Sequence, residues 1–330
     1  MKVLFIGGTG IISSACSQLA IEQGIDLYLL NRGQSFRPAA EGARMIRADI
    51  RKPETVREVL SGAAFDAVVD WIAFTPEHIE TDLDLFRNCT GQYIFISSAS
   101  AYQTPPSSLP VTESTILDNP YWEYSRNKIA CEERLVNAYR EEKFPMTIVR
   151  PSHTYSKTYI PLPGGYTDIA RIRDGREVIV HGDGTSLWTL THNKDFARGF
   201  IGLLGNSHAI GEAFHITSDE SLTWNQIYAL FAQALGVEPH LVHVPSELIN
   251  AFDQKWGASL LGDKAHSMVF DNTKIKRVVP GYRAEYPFSR GVEEILAWHS
   301  AHPENQKVDA ELDALIDRIL IAYRSAWPKG

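Results

Sequence analysis

Tyr124 and Lys128, four positions apart in the stretch NPYWEYSRNK, are the residues of this chain that most directly suggest proton chemistry. Positions i and i+4 share a helix face, so the spacing alone leaves two readings open: a catalytic pair, or the solvated side of an amphipathic helix. An ammonium close to a phenol would lower its ordinary pKa of about 10 and make proton exchange workable near neutrality. A second feature stands at the start of the chain, where GGTGIIS follows the apolar run KVLFI and opens a helical pattern. Gly7 suits the tight turn. Gly10 lets the backbone approach a pyrophosphate at the helix N-terminus, where free N–H groups and the helix dipole favour anions. Thr9, Ile11 and Ile12 complete that turn, and Ser13 stands where a dinucleotide fingerprint has its third glycine.

The elements needed to hold these groups are legible in the first half of the chain. The runs KVLFIG, DLYLL, ARMIRAD, DAVVDWI, QYIFISS and MTIVRPS alternate with helical patterns, which predicts a parallel sheet built from right-handed crossovers. The runs are nearly continuous in apolar character, so helices should cover both faces in a doubly wound α/β fold. Residues 1–155 are predicted to form the dinucleotide-binding core. Residues 156–330 are expected to be mainly a smaller substrate-binding region, with returning core elements and a C-terminal helix. On that helix Leu312, Leu315, Ile316, Ile319, Leu320 and Tyr323 form one stripe, expected to face the core. At the end of the second run, where a carboxylate would hold the 2′-hydroxyl of NAD, stand Asn31 and Arg32. Asparagine repels nothing and arginine can pair with a 2′-phosphate, so the expected cofactor is NAD(P), with NADP favoured. Asp49 and Ile50 fall near the expected adenine, and Trp71 ends the fourth run on the cofactor side.

Composition narrows the function classes. An apolar fraction of 44% and a charged fraction of 22% are those of an ordinary globular protein, which excludes disordered and fibrous classes. A net charge of −8 disfavours nucleic acid and anionic lipid as main partners. Cys16, Cys89 and Cys131 have no metal-ligand spacing, so no metal is expected, and a reducing compartment fits best. Without a leader pattern or a run long enough to span a membrane, the reading is a cytoplasmic protein.

GGTGIIS, ADI, FISSASAY, PYWEYSRNK, IVRPSHTY, THNKDFARG and FDNTKIKRVVPGY together give a chain that resembles the extended short-chain dehydrogenase/reductase superfamily, in its NAD-dependent epimerase/dehydratase group. The likeness runs over most of the chain. It implies that Tyr124 exchanges a proton with a substrate hydroxyl or ketone while hydride moves to or from the cofactor. Lys128 would lower the tyrosine's pKa and bind the nicotinamide ribose, and Ser98 would hydrogen-bond the same substrate oxygen. Ser98 is favoured over Ser97 because the family places this residue four before the tyrosine that is here Tyr102, although Ser97 stays open. Departures from the family are informative. The Asp-Glu pair of the 4,6-dehydratases is replaced by Ala99 and Ser100, so that dehydration lacks its acid and base. The arginine that grips a substrate diphosphate, seven residues before Asp195, is Trp188.

The implied substrate is a sugar-like molecule without a diphosphate. Trp188 would offer a stacking surface, unless it packs under a loop and Arg171 or Arg173 does the gripping. Lys264 and His266, where a second family arginine is missing, are candidates for anion binding, and His153 aligns with a frequent substrate contact. Related enzymes pair two helices with their mates. Ile129, Leu135 and Val136, with Leu83, Leu85 and Phe86 on the preceding helix, make a homodimer the expected assembly. The competing reading is a non-catalytic Rossmann-type nucleotide- or RNA-binding protein, like the chloroplast stem-loop RNA-binding relatives.

Overall fold

The computed structural model describes residues 1–326. Seven parallel strands form one sheet: β1 (Lys2–Ile6), β2 (Asp26–Asn31), β3 (Arg44–Arg47), β4 (Ala67–Asp70), β5 (Tyr93–Ile96), β6 (Met146–Pro151) and a last strand at Ala213–Ile216. Their spatial order is Ala213–Ile216, β6, β5, β4, β1, β2, β3. The order reverses between β1 and β4. Connections leave those two strand ends in opposite directions, and the crevice they leave is where open α/β sheets bind ligands.

Alternation along each strand gives the sheet two apolar faces. On one, Val3, Phe5, Leu29 and Val69 pack against Cys16 and Ala20 of α1 (Ile11–Glu22) and against Phe196 and Phe200 of the helix Asn193–Ile201. On the other, Leu4, Ile6, Val68 and Phe95 meet Val56 of α2 (Pro53–Val59), Ile79, Leu83 and Phe86 of α3 (Pro76–Phe86), and Leu135 of α4 (Glu123–Glu142). The doubly wound fold expected from the apolar strands is therefore present. One connection departs from the expected rhythm: residues 32–43 join β2 to β3 without a helix. Gly33 at φ 70° and Pro38 favour turns there, and the carboxyl ends of β2 and β3 are left open to solvent.

Beyond β6 the chain builds a second layer over the sheet's carboxyl edge. Three short pairings, His153–Tyr155 with Leu190–His192, Glu177–His181 with His240–Val244, and Leu187–Trp188 with Leu222–Thr223, enclose an aromatic core that includes Tyr155, Trp188, Trp224 and Phe288. The last helix, Ala310–Ser325, starts on an Asp309 cap and buries Ile316, Ile319 and Leu320 against Ile179, Val244 and Ile249, as its apolar stripe predicts. Among the described residues no helix is long and apolar enough to cross a membrane.

The surface proposed for pairing with a second copy is partly consumed by the fold. Leu83, Phe86 and Leu135 are buried against the sheet, while Leu85, Ile129 and Val136 stay partly exposed. Their helical spacing could not distinguish a sheet-facing stripe from a partner-facing one. Phe86→Ala should cost roughly 3–5 kcal/mol in urea unfolding, as a core cavity does, and should leave the sedimentation mass unchanged.

Candidate active site

A cleft of about 620 Å³ opens at the crevice between β1 and β4, running from Gly10 and Ile11 past Ser98, Tyr124 and Lys128 to Trp188, Asp263 and Lys264. Tyr124 sits in the first turn of α4 and Lys128 one turn later. Lys128 is almost wholly buried. Its Nζ donates to Ala73 O at 2.6 Å and Ile96 O at 2.8 Å, and stands 4.7 Å from the ring centres of both Phe74 and Phe95. It is 5.8 Å from the Tyr124 ring centre. Burial pulls Lys128 down to about 8, because desolvation penalises the ammonium. Burial pushes Tyr124 up to about 12, opposed by a hydrogen bond from Ser98 and reinforced by the Asp263 carboxylate.

The loop after β5 is held by a chain of hydroxyls. Ser98 Oγ accepts Ser100 N–H at 3.2 Å and lies 2.9 Å from Ser100 Oγ, which accepts Ser125 Oγ–H of α4 at 2.8 Å. Ser98 thus meets the tyrosine, whereas the Ser97 hydroxyl is buried with no partner among the described residues. Asn119, which the motif reading passed over, clamps three segments together. Its Nδ2 donates to Ser100 O at 2.9 Å and Gly262 O at 2.6 Å, and its Oδ1 accepts Trp122 N–H at 3.1 Å. The only signal in sequence is a polar residue just ahead of a proline and a helix start.

At the other end of the cleft, Gly7 (φ 103°) and Gly8 (φ 94°) both lie in the left-handed region, and a Cβ on Gly8 would fall 2.6 Å from Leu29 Cδ2. Gly8, not singled out from the motif, is the more constrained of the two. Ser17 Oγ donates to Gly8 O at 2.9 Å, and Ser13 does more than replace a small residue: its Oγ accepts Gly10 N–H at 2.7 Å. The start of α1 lines the cleft with Ile11, Ile12 and Ser13, whose N–H groups precede the first intrahelical acceptors. A glycine-rich turn leading into free helix N–H donors fits a dinucleotide pyrophosphate.

The nucleoside end is open, and Gly7, Thr9, Asn31, Arg32, Asp49 and Ile50 lie outside the enclosed cleft. Asn31 Nδ2 reaches Gly7 O at 3.4 Å, and its Oδ1 accepts Gly33 N–H at 2.9 Å, so it ties the two turns together. Arg32 is exposed. Arg47, missed from sequence, pairs with Asn31 in the β2–β3 register, and neither arginine has a carboxylate partner among the described residues. Asp49 Oδ1 accepts Arg51 N–H at 3.1 Å. The Ile50 side chain is buried in the core with Leu30 and Ala48. Trp71 lines the cleft and packs on Phe5 and Phe200, with ring centres 5.3 and 4.8 Å away.

At the substrate end, Trp188 is only 3% exposed and packs on Trp224 at 5.7 Å, so its face is not the free stacking surface expected. It forms wall, and its Nε1–H donates to His153 Nδ1 at 3.0 Å. Burial first, and the Lys264 charge second, lower His153 to about 3, so the ring is neutral with its proton on Nε2. Lys264 lies 5.4 Å from the Trp122 ring centre and 3.4 Å from Asp263 Oδ2; burial raises the Asp263 carboxyl and Lys264 opposes that shift. His181 Nε2, Ser186 Oγ and Trp224 Nε1 all reach Lys264 O, which fixes this roof. His266 is not part of it. Its Nε2 bonds Leu261 O at 3.2 Å and it lines a different hollow. Arg171 is buried on Asp313 and Asp317, and Arg173 holds Asp174. Among the described residues no arginine lines the cleft.

The family model for the NAD dependent epimerase/dehydratase family matches residues 3–217. A 2′-dehydrokanamycin reductase of Streptomyces kanamyceticus is 28% identical over 99% of this chain and 92% of its own length. Chloroplast stem-loop binding protein of 41 kDa b from Arabidopsis thaliana is 28% identical over 73% of this chain and 65% of its own. In fold, the chain is similar to the Bifidobacterium longum UDP-glucose 4-epimerase solved with NAD+ and UDP, at a TM-score of 0.74 and 18% identity, covering 92% of this chain and 100% of that one.

Tyr124→Phe should leave dinucleotide affinity nearly unchanged and lower turnover by roughly 10²-fold or more; near-normal turnover would remove the tyrosine from the chemistry. In a pH–rate profile, turnover should fall as pH rises through about 8 and Lys128 loses its charge. His153, neutral above about 3, should add no step between about pH 5 and 7.

Proposed function

We propose a reaction for this chain, which belongs to the NAD dependent epimerase/dehydratase family: NADP-favouring hydride transfer at a ketone or hydroxyl of a sugar-like molecule that carries no nucleotide diphosphate. The observation that carries this reading is a cleft with Ser98, Tyr124 and Lys128 at its centre and no arginine in its described lining. A buried diphosphate without guanidinium partners would keep several kcal/mol of desolvation uncompensated. Lys264 is the cation of the substrate end, and Asp263 already balances it.

A bound nicotinamide dinucleotide would supply the hydride; Gly8, the start of α1 and Lys128 would hold it. The chain's own part is proton transfer and orientation. Tyr124, held protonated by burial, donates its proton to the substrate oxygen on reduction, and the Ser98 hydroxyl bonds that oxygen. The Lys128 ammonium then stabilises the phenolate left behind. In the reverse sense the phenolate takes the proton back. Likeness along the whole chain to a relative named as a reductase favours the reductive direction. Epimerisation would use the same groups with the oxidised intermediate retained. Ala99 and Ser100 offer no carboxyl for 4,6-dehydration; Ser100 is spent on the hydroxyl chain.

The stem-loop-binding relative keeps the non-catalytic reading in view. Against it stand the juxtaposed Tyr124 and Lys128 and the net charge of −8. Three free cysteines suit a reducing, cytoplasmic setting, and the partly exposed Leu85, Ile129 and Val136 support a homodimer through α3 and α4.

Calorimetry should find NADPH bound more tightly than NADH, with the gap narrowed in Arg32→Ala/Arg47→Ala; equal affinities in the unaltered protein would reverse the cofactor assignment. UDP-glucose and dTDP-glucose should bind no more tightly than about millimolar, while a panel of keto-sugars without nucleotide should oxidise NADPH. Micromolar binding of either nucleotide sugar would return the chain to that substrate class.

A further inference from the structure

Behind Lys128 lies a buried acidic pair. Asp70 closes β4 and Asp82 lies on α3, and neither has any exposed surface. Asp70 Oδ1 accepts the N–H groups of Ile72 and Ala73, the latter at 2.7 Å. Asp82 Oδ2 accepts the Tyr93 hydroxyl of β5 at 2.5 Å. The other two oxygens, Asp70 Oδ2 and Asp82 Oδ1, find no N–H or O–H donor among the described residues, yet the two carboxyl groups stand within hydrogen-bond reach of each other. Ionised carboxylates only accept, so that contact needs a proton between them. Two neighbouring charges in a buried site would also repel. Burial first, and Asp70 next, push the Asp82 carboxyl well above the usual carboxylate range. Asp70 receives two backbone donors where Asp82 receives one hydroxyl, so the charge belongs on Asp70.

We propose that Asp70 and Asp82 share a single proton and that the charge left on Asp70 is the counterion of the Lys128 ammonium, coupled to it through the turn whose Ala73 carbonyl accepts Lys128 Nζ. Asp70 is thereby a positioning residue, and its importance for turnover rests on the catalytic reading of Tyr124 and Lys128. The other groups facing Lys128 do not supply this charge. Glu132 on α4 is bound to Arg150, burial pushes the Cys131 thiol up to about 12, and His78 on α3 accepts Phe74 N–H at Nδ1 and is lowered by burial. Asp82 is faced by Tyr93 and, from the segment after β3, by Arg51, which donates to Ile72 O at 2.7 Å.

The test reads the protons directly in the intact chain and needs no substrate. The infrared carbonyl stretch of a protonated carboxyl should be present at neutral pH and lose the Asp82 component in Asp82→Asn, read as the difference between the two spectra. NMR of lysine labelled at Cε, with the Lys128 signal identified by its loss in Lys128→Met, should titrate near 8. Asp82→Asn should leave that midpoint in place, because the amide still donates to Asp70 and accepts from Tyr93. Asp70→Asn/Asp82→Asn should lower it by about one unit, a tenfold loss of proton affinity. Absence of the carboxyl band in the unaltered protein, or an unmoved Lys128 midpoint in the double variant, overturns the proposal. Should the double variant not fold, the band and its fate in Asp82→Asn still decide the shared proton. An unmoved midpoint leaves the sugar-reductase reading intact, and failure of every keto-sugar leaves the titration standing.

Discussion

The arrangement of the cleft depends on one buried cation. Lys128 sits where β4 and β5 end, and an ammonium taken out of water there is stable only if its donors are used and its charge is answered. Two carbonyls take donors from it, Ala73 O in the turn that follows β4 and Ile96 O at the end of β5. The lysine therefore ties α4 to two central strands at the crevice. The position of Tyr124 follows, since it stands one turn earlier on the same helix. Phe74 and Phe95 place ring faces near the ammonium, a low-polarity environment that still favours positive charge.

A second fixed point lies above it. Asn119 joins the loop after β5, the start of α4 and the segment Leu260–Lys264, which are distant in sequence and meet only over the cleft. Two of its bonds satisfy buried carbonyls, Ser100 O and Gly262 O. The roof around Lys264 is thereby registered against Tyr124 and Lys128. Trp188 serves the same purpose sideways: packed on Trp224, it holds His153 in a single neutral tautomer. The result is a roof of aromatic walls with one lysine and one aspartate.

The two ends of the cleft differ in enclosure for a physical reason. The connection of residues 32–43 has no helix to cap the ends of β2 and β3, so that end is solvent-facing, and Arg32 and Arg47 there have no carboxylate partner among the described residues. Exposed charges discriminate between nucleotides chiefly through direct pairing, because water screens anything farther away. At the reacting end, burial multiplies each electrostatic effect and shifts both Tyr124 and Lys128 from their ordinary values.

The sequence by itself determined six of the sheet's seven strands, the glycine turn and the Tyr124–Lys128 pair, because each of these is a local pattern: apolar runs, a turn that only glycine tolerates, and a four-residue spacing on one helix; the edge strand Ala213–Ile216 was not read from it. Its departures at Ala99, Ser100 and Trp188 were legible for the same reason, as residue types at fixed offsets. Tertiary structure alone decided which of those residues face the cleft. His266 turns away from it, and Leu83, Phe86 and Leu135 are absorbed by the sheet, because a helical or loop position does not say which neighbour will cover it. Asn119, Arg47, Asp263 and the Asp70–Asp82 pair gained their meaning only when strands and loops far apart in sequence met at one crevice. Burial there sets the protonation of each group, and burial is a property of the whole packed chain.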